Sequence, residues 1–451
     1  MITRVEIDGF KSFTDFEVDL QPLSVIAGVN GVGKSNLFDA LLHVGRLVGR
    51  DSALDGGTLR EAFESDRGSL EDLFSLYPDG SRAQRMRFAI EFYLPQTIED
   101  EFSEKATLDL QRLRYELVVA ISGTGDLELK HERLKGVPKK GDRFLAQYPM
   151  ASLPKKRVNS SKTLLDTVDG VVRFRQDGRQ GKTRRAFQVA KTRRTALSSL
   201  STVEFKHAFA TRRALTGIRY LQLQPNQLRL PSAFAASTEL QPSGYGLAAA
   251  MARIAKKAPE RLQNISTDVS RIVPGIRSVT VVPDSKREEW SVEIVDSDGR
   301  ELPAKLVSDG TLRLLALATI VHDPDFSGIV ILEEPENGIY AGRIEELLDV
   351  LEAYPDQTEA GFGHRQLLTN THSVPLVRAV RQRRSLDSLM FAFLKRAVRK
   401  DTPSHNATTV APVFDEGAQP RLFSQDEISR QQVAFHEMQR MLASPGDPEA
   451  L

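Results

Sequence analysis

The stretch GVNGVGKSN at residues 28–36 constrains the fold more than any other part of the chain, because it joins the apolar run LSVIA to the helical pattern NLFDALLHVGRLV. Glycine lets the backbone turn sharply, so that successive N–H groups point into one concavity. The N-terminus of the following helix adds the positive end of its dipole. This stretch, called the phosphate loop below, predicts an anion site between a strand and a helix. The alternative is a glycine-rich turn with a solvated lysine.

The spacing G-x-x-x-x-G-K-S assigns separate roles to two side chains of the phosphate loop. We expect Lys34 to reach the β- and γ-phosphates of a nucleoside triphosphate and to contribute to catalysis, and we expect the Ser35 hydroxyl to bind a magnesium ion. The other predicted nucleotide-binding residues of the loop are Gly28, Asn30, Gly31, Gly33 and Asn36.

A pair of acidic residues follows the apolar run IVIL in the stretch IVILEEPENG at residues 329–338. Such a run, rich in β-branched residues, is typical of a strand buried on both faces of a parallel sheet, and ligands bind at the C-terminal ends of these strands. Two adjacent carboxylates are costly to bury there unless a cation or a reacting water uses them. We expect Glu333 to belong to the magnesium shell and Glu334 to polarise the water that attacks the γ-phosphate. The alternative is an exposed acidic strand end.

Two further segments are candidates for phosphate contacts. In SDGTLRLLALATIV, Ser308 is a natural N-cap, and we expect Ser308 and Gly310 to offer a second phosphate receptor at the exposed start of a helix. Taken alone, the segment is simply the start of a helix. His372 follows the strand-like run QLLTNT, where an imidazole can hydrogen-bond the γ-phosphate and sense hydrolysis. A lone histidine is otherwise structural or merely exposed.

The net charge of +1 hides a strong asymmetry along the 451 residues. Between Lys130 and Arg219 there are 23 Lys and Arg but 6 Asp and Glu, a charge of +17, and the rest of the chain holds 38 and 54, a charge of −16. Such a segment can neutralise the phosphates of a nucleic acid, can bind an acidic partner protein, or can be a solvated surface. Composition leaves these three possibilities open.

Periodicity divides the chain into four segments with different patterns. Residues 1–95 contain β-like runs around the phosphate loop, and residues 96–216 contain short β-like pieces separated by turn signals, without sustained apolar heptads. Helical and β-like patterns return in residues 217–400. Residues 401–451 read as a polar tail with one helix at DEISRQQVAFHEMQRMLA. The expected fold class is therefore α/β, with a basic β-rich insert at 96–216.

Composition excludes several classes of protein. The chain has no cysteine, which excludes disulfides, thiolate metal sites and cysteine nucleophiles. No stretch approaches about 18 uninterrupted apolar residues, so we expect no contact with a membrane, and MITRVEIDGF lacks the apolar core of a signal peptide. We expect a cytoplasmic protein.

In their order along the chain, these motifs resemble the ABC-type ATPase heads of the RecF, SMC and OLD families. The matching residues are IDGFKSF near the N-terminus, GVNGVGKS as Walker A, SDGTLR as signature, ILEEPENG as Walker B and THS as the switch histidine. The pattern SDGTLRLLAL followed by EEPENG is most similar to the stand-alone bacterial ATPases of the AAA and OLD type. The resemblance covers residues 1–95 and 217–380 and does not extend to the insert.

The resemblance implies a fold, a ligand and an assembly. It implies an ABC-type head with a mixed or parallel sheet and flanking helices, which binds ATP with Mg²⁺ between two heads arranged head to tail. Lys34 and Ser35 would act on the nucleotide of their own subunit, whereas Ser308 and Gly310 would act on that of the partner. It also implies an ATP-gated clamp or sensor that works with DNA and a separate effector such as a nuclease, in anti-phage defence.

The alternative is a RecF- or SMC-like ATPase of DNA repair or maintenance, although the missing coiled coil speaks against SMC. A transporter ATPase fits the signature poorly, and a scaffold with an inactive site does not fit the intact motifs. Fewer than 80 residues follow Ser373, and we expect that to be too few for the Toprim nuclease domain of OLD proteins.

Three departures from the family pattern stand out. Glu333 replaces the usual Walker B aspartate, and Thr311 and Leu312 replace the second glycine and the glutamine of transporter signatures. The region after Walker A reads GSLEDLFSLYPDG and contains no recognisable Q-loop glutamine.

Overall fold

The structure is a computed structural model that describes most of the chain. The described residues are 1–49, 69–100, 102–123, 125–148, 161–175, 183–188, 194–200, 202–356, 365–383, 388–399, 402–413 and 424–443, with backbone alone at 175 and 183–188.

The described strands form four sheets. The strands are β1 (Ile2–Asp8), β2 (Phe16–Asp19), β3 (Leu23–Ala27), β4 (Arg85–Tyr93), β5 (Thr97–Glu99), β6 (Lys105–Thr107), β7 (Arg112–Ile121), β8 (Leu127–Gly136), β9 (Thr163–Val168), β10 (Val171–Arg175), β11 (Thr183–Gln188), β12 (Arg219–Leu221), β13 (Ser232–Ala233), β14 (Ile276–Asp284), β15 (Glu289–Asp296), β16 (Glu301–Pro303), β17 (Gly328–Glu333), β18 (Arg365–Thr371), β19 (Leu389–Arg399) and β20 (Thr402–Pro412).

The α-helices of the described residues are α1 (Lys34–Val48), α2 (Arg143–Gln147), α3 (Lys206–Thr216), α4 (Pro225–Leu228), α5 (Leu247–Lys257), α6 (Pro259–Ile272), α7 (Asp309–His322), α8 (Ile344–Asp356), α9 (Val374–Gln382) and α10 (Gln425–Leu442). No helix among them is long and apolar enough to cross a membrane.

A six-stranded sheet in the order β12-β17-β18-β3-β19-β20 carries the predicted motifs. All neighbouring strands run parallel except the last pair, β19 and β20. Every residue of β3 and of β18 is buried. Side chains of one face, such as Ile26, pack with α1, and those of the other, such as Val25, pack with α7. The sheet is thus covered on both sides, as parallel sheets are.

An eight-stranded antiparallel sheet in the order β11-β10-β9-β8-β7-β4-β1-β2 lies in the same core as α1. Its strands alternate buried and partly exposed residues, which leaves one open face. Because β7 pairs with β4, the strands of residues 96–216 extend the sheet that β1, β2 and β4 begin. The predicted boundary at residue 95 therefore divides one sheet. That the four predicted segments are separate domains remains a prediction.

The prediction of a polar tail over residues 401–451 is wrong for residues 402–412. Residues 402–412 form β20, which pairs with β19 along its length and buries Ala407, Thr408, Val410 and Ala411. β20 lies at the edge of its sheet, where a polar and proline-containing sequence is tolerated, and this explains why its pattern resembles a loop. The helix predicted in this segment is α10, which buries Ala434, Phe435 and Met438.

Candidate functional site

The phosphate loop leaves β3 and enters α1 in a tightly folded conformation. Gly28, Gly31 and Gly33 have φ angles of +149°, +80° and +96°, which L side chains rarely adopt. A Cβ at Gly28 would lie 2.7 Å from the carbonyl oxygen of Ala392, and one at Gly33 would lie 2.4 Å from the Thr408 hydroxyl. Glycine is therefore required at 28 and 33 both by conformation and by close packing.

Lys34 opens α1 and folds back over the phosphate loop. Its buried ammonium donates hydrogen bonds to the carbonyl oxygens of Gly28, at 2.6 Å, and Val29, at 2.9 Å. Burial lowers the pKa of Lys34, and the nearby carboxylates of Glu334, Glu333 and Glu336 act in the opposite direction. Lys34 and the acidic residues at the end of β17 therefore lie close enough to interact electrostatically.

The C-terminal ends of β3, β17 and β18 meet at one edge of the sheet. In the register, Glu333 is opposite Asn370, and Thr371 is opposite Ala27. The Asn370 side-chain amide donates to the Ser35 hydroxyl and to the Glu333 carboxylate, at 3.3 Å each. Both predicted magnesium ligands are thus brought together through Asn370.

These donors suit Mg²⁺, which is bound in nucleotide sites by one or two protein oxygens, phosphate oxygens and water. A hydroxyl and a carboxylate within reach of one amide provide such a set. The described residues contain no cluster of three or more His, Cys, Asp or Glu side chains that could hold a metal without further ligands.

Glu334 and His372, both predicted catalytic residues, contact each other. The Glu334 carboxylate lies 2.7 Å from His372 Nδ1 and accepts a hydrogen bond from the Asn337 amide at 2.8 Å. Glu334 has a φ angle of +47°, and its backbone N–H donates to both the backbone and the side-chain oxygen of Asn370. The carboxylate is about one-third exposed, so a fixed acceptor is presented to water at the edge of the sheet.

Glu336 is a third acidic residue of this site, which the sequence reasoning missed. It accepts a hydrogen bond from the Thr371 hydroxyl, while its other carboxylate oxygen is buried and has no partner among the described residues. Burial raises the pKa of Glu336. The only sequence feature that indicates Glu336 is that it is the third acidic residue in EEPEN. The spacing does not distinguish a buried from an exposed glutamate.

Ser308 and Gly310 lie at the start of α7, where their contacts are local. The Ser308 hydroxyl accepts a hydrogen bond from the backbone N–H of Thr311 at 3.2 Å, which makes it the N-cap of α7. Gly310 packs so closely against Gly338 that a Cβ would lie 2.1 Å from the Gly338 carbonyl oxygen. The helix start therefore packs against Gly338, the last residue of the Walker B stretch, and the phosphate contacts of Ser308 and Gly310 stay a prediction.

The remaining residues of the phosphate loop differ in position. Asn30 and Gly31 are exposed at its tip, whereas Asn36 turns its side chain away from the tip and donates to the Ser12 hydroxyl at 2.8 Å. The contact of Asn36 is thus with the loop after β1.

Gln222 is a glutamine at the edge of the sheet that carries the motifs. It follows β12, the strand parallel to β17, with Leu221 opposite Leu332. Its side chain donates to the Tyr220 hydroxyl at 3.2 Å, and burial together with Glu333 raises the pKa of Tyr220 to about 12. Residues 96–216 separate Gln222 in sequence from the phosphate loop, so its position at this sheet is apparent only in the tertiary structure.

Two family models match separate parts of the chain. The model described as "AAA ATPase domain" matches residues 1–118, and the model described as "AAA domain, putative AbiEii toxin, Type IV TA system" matches residues 173–379. Among solved structures, an Smc head bound to the C-winged helix domain of ScpA is 14% identical, with 90% of this chain and 97% of that chain covered and a TM-score of 0.50. The fold of this chain is thus that of an SMC-type ATPase head, and the two family models assign ATPase domains to it.

A second solved structure shares this coverage. The Smc head domain with an extended coiled coil from Pyrococcus furiosus, bound to the C-terminal domain of ScpA, is 13% identical over 91% of this chain and 96% of that chain, with a TM-score of 0.47. No curated protein sequence matches the chain significantly. The ATPase activity and the ABC-ATPase head fold, both expected from the motifs, are confirmed.

Proposed function

We propose that the ATPase head hydrolyses ATP with Glu334 as the group that activates water. The observation that carries this proposal is the Glu334 carboxylate, held between His372 and Asn337 beside the phosphate loop. A carboxylate fixed by two partners keeps its acceptor oxygens directed at one position, which is what an in-line attack on a γ-phosphate requires.

The neighbouring residues supply positioning and charge. Lys34 would give up its hydrogen bonds to two carbonyl oxygens and bind the β- and γ-phosphates instead. The charged phosphate oxygens are stronger acceptors than the neutral carbonyl oxygens. Ser35 and Glu333 would hold Mg²⁺, with Asn370 and Gln222 beside them, and the ion would neutralise charge on the phosphates. His372 would bind the γ-phosphate with the same imidazole that contacts Glu334, and so report whether that phosphate is present.

We infer that ATP joins two heads, head to tail. Ser308 and Gly310 of one head would complete the site of the other, and higher assemblies can build on such dimers. Exposed apolar side chains flank the motifs: Val29 in the phosphate loop is 63% exposed, Leu306 before the signature 72%, and Tyr340 after Walker B 78%. Apolar surface around a charged site supports contact with a second protein surface.

This dimer can be tested with two exposed aromatic residues. In the Glu334→Gln variant with ATP, we expect a dimer by light scattering, and we expect Tyr340→Glu in the same background to remain monomeric. Phe102→Glu is the matched control, because Phe102 is 72% exposed and lies in the insert. A Tyr340→Glu variant that dimerises like the Phe102→Glu variant would remove Tyr340 from the interface.

We further propose that the head acts as a clamp or sensor with DNA and a separate effector, for example a nuclease in anti-phage defence. The support is the charge of +17 between Lys130 and Arg219. Lys139, Lys140 and Arg173 are among the exposed basic residues of this segment that the structure describes. The alternative, DNA repair or maintenance, would use the same contact.

ATPase rates with and without double-stranded DNA test this contact. We expect DNA to stimulate hydrolysis at low salt, the effect to fade at high salt, and Lys139→Glu with Lys140→Glu to weaken it. Lys286→Glu with Arg287→Glu reverses the same number of charges outside the segment and is the control. Hydrolysis that is indifferent to DNA would favour a protein partner for the basic segment.

A further inference from the structure

Ser12 and Thr408 meet beneath the phosphate loop, although neither has been assigned a role above. Ser12 lies in the loop between β1 and β2, within the N-terminal IDGFKSF, and Thr408 lies on β20. We propose that these two hydroxyls form a brace that holds the phosphate loop in the conformation that binds nucleotide, with Thr408 as its main positioning residue. The proposal rests on the proposed role of the loop in ATP binding.

Thr408 contacts the loop directly. Its hydroxyl lies 2.7 Å from the carbonyl oxygen of Val32 and 2.7 Å from the Ser12 hydroxyl, and its side chain is buried with 1% exposed. Its backbone N–H donates to the Ser12 carbonyl oxygen at 2.9 Å. A buried carbonyl oxygen needs a hydrogen-bond partner, and Thr408 supplies one to Val32.

The contact with Val32 determines the direction of a neighbouring donor. A trans peptide unit is planar, so its C=O and N–H point in opposite directions. When Thr408 holds the Val32 carbonyl oxygen on the β20 side of the loop, the N–H of Gly33 in the same peptide is turned to the other side. An anion site made of backbone N–H groups depends on such orientations being fixed in advance.

Ser12 extends the brace to the first turn of α1. Its hydroxyl accepts a hydrogen bond from the Asn36 amide at 2.8 Å. A Cβ at Gly33 would lie 2.4 Å from the Thr408 hydroxyl and 2.6 Å from the Ser12 hydroxyl. The two hydroxyls therefore pack directly against Gly33, and its lack of a side chain is part of the arrangement.

The brace is attached to rigid elements. β20 pairs with β19, and β19 pairs in parallel with β3, the strand that leads into the phosphate loop. The loop that carries Ser12 is closed by two backbone hydrogen bonds, from Gly9 to Phe13 at 3.0 Å and from Phe13 to Phe10 at 2.8 Å. The phosphate loop is thus held from two segments that are distant in sequence.

Titration with a fluorescent N-methylanthraniloyl derivative of ATP, with and without Mg²⁺, tests the brace. Thr408→Val keeps the shape and removes the hydroxyl, and we expect it to weaken nucleotide binding by about tenfold, the loss of one buried hydrogen bond. Thr408→Ser should restore binding. Thr409→Val is the matched control, because successive side chains of a strand point to opposite faces. The thermal unfolding of each variant without nucleotide is measured in parallel.

Several outcomes decide the proposal. Weaker binding by Thr408→Val and by Ser12→Ala, with unfolding temperatures close to that of the Thr409→Val control, supports the brace. If Thr408→Val does not fold, Ser12→Ala decides in the same way. Binding unchanged in Thr408→Val and Ser12→Ala, but lost in Lys34→Ala, overturns the brace and leaves the proposed function intact. Binding unchanged in Lys34→Ala overturns the role of the phosphate loop itself, and the brace with it.

Discussion

The two large sheets of the molecule differ in where their polar groups lie. In the six-stranded sheet, β3 and β18 are wholly buried, and the functional polar groups, such as Glu333 and Asn370, gather where the strands end. In the eight-stranded sheet, charges lie along the open face and pair across strands. Arg114 on β7 reaches Glu6 on β1 at 2.6 Å and Glu91 on β4 at 3.0 Å.

The difference supports the proposed reaction site at the edge of the parallel sheet. Arg114 and its three carboxylate partners on the antiparallel face satisfy one another, which leaves little for a ligand to complete. At the edge of the parallel sheet, Lys34 is held by carbonyl oxygens and one oxygen of Glu336 has no partner among the described residues. Polar groups that are incompletely partnered by protein are the ones a charged ligand can engage.

The largest effect is expected from Glu334→Gln, at the edge of the parallel sheet. Loss of the activating carboxylate should lower the rate of ATP hydrolysis by about 10²–10⁴-fold, with nucleotide affinity and thermal unfolding close to those of the parent. Steady-state phosphate release and fluorescence titration measure the two quantities. Glu301→Gln, an exposed residue of β16, is the control. Hydrolysis by Glu334→Gln at the rate of this control would show that another group activates water.

Removal of a buried carboxylate in the antiparallel region should lower the stability of the protein and leave its activity unchanged. Asp142 accepts two hydrogen bonds from Arg112, at 2.7 and 3.0 Å, and both side chains are at least 95% buried. Asp142→Ala leaves the guanidinium without its main partner, and we expect the free energy of unfolding to fall by about 3 kcal/mol in denaturant titrations.

Nucleotide affinity should not change in Asp142→Ala while the protein is folded. Asp298→Ala, which breaks an exposed ion pair with Arg300, is the control and should cost less than about 1 kcal/mol. Weakened ATP binding in Asp142→Ala would mean that the two sheets do not act separately.

The smallest effect concerns the pH dependence of the antiparallel face. Burial alone would raise the pKa of Glu6, but hydrogen bonds and charge from Arg114 and Arg4 outweigh it and lower the pKa from 4.5 to about 2. Because the folded-state pKa is the lower one, the stabilisation by Glu6 is present above pH 4.5 and is lost as the pH falls towards 2. Glu6→Gln should be less stable than the parent by about 1–2 kcal/mol at pH 7. In denaturant melts, this difference should shrink below pH 4; a constant difference from pH 7 to pH 3 would argue against the ion pair as its cause.

Much of the candidate nucleotide site could be located from the sequence, because its central parts are local. The phosphate loop is encoded by consecutive residues whose glycines permit positive φ angles, and the pair Glu333–Glu334 directly follows its buried strand. The family order of the motifs then implied that these segments share one fold, and the ATPase assignment is confirmed. Asn370 could not be recognised, since an asparagine in the strand-like run QLLTNT has no distinguishing pattern until its neighbour across the sheet is known.

By itself, then, the sequence determined the class of chemistry: a glycine-rich loop with a lysine, an acidic strand end and a histidine after a strand are specified by adjacent residues and by backbone conformation. Only the tertiary structure decided which distant side chains surround them. Gln222 reaches the edge of the parallel sheet because β12 pairs with β17, Thr408 reaches the phosphate loop because β20 follows β19, and the insert joins the head because β7 pairs with β4. The physical reason is that strand pairing joins residues far apart in the chain, and no local pattern records which strands become neighbours.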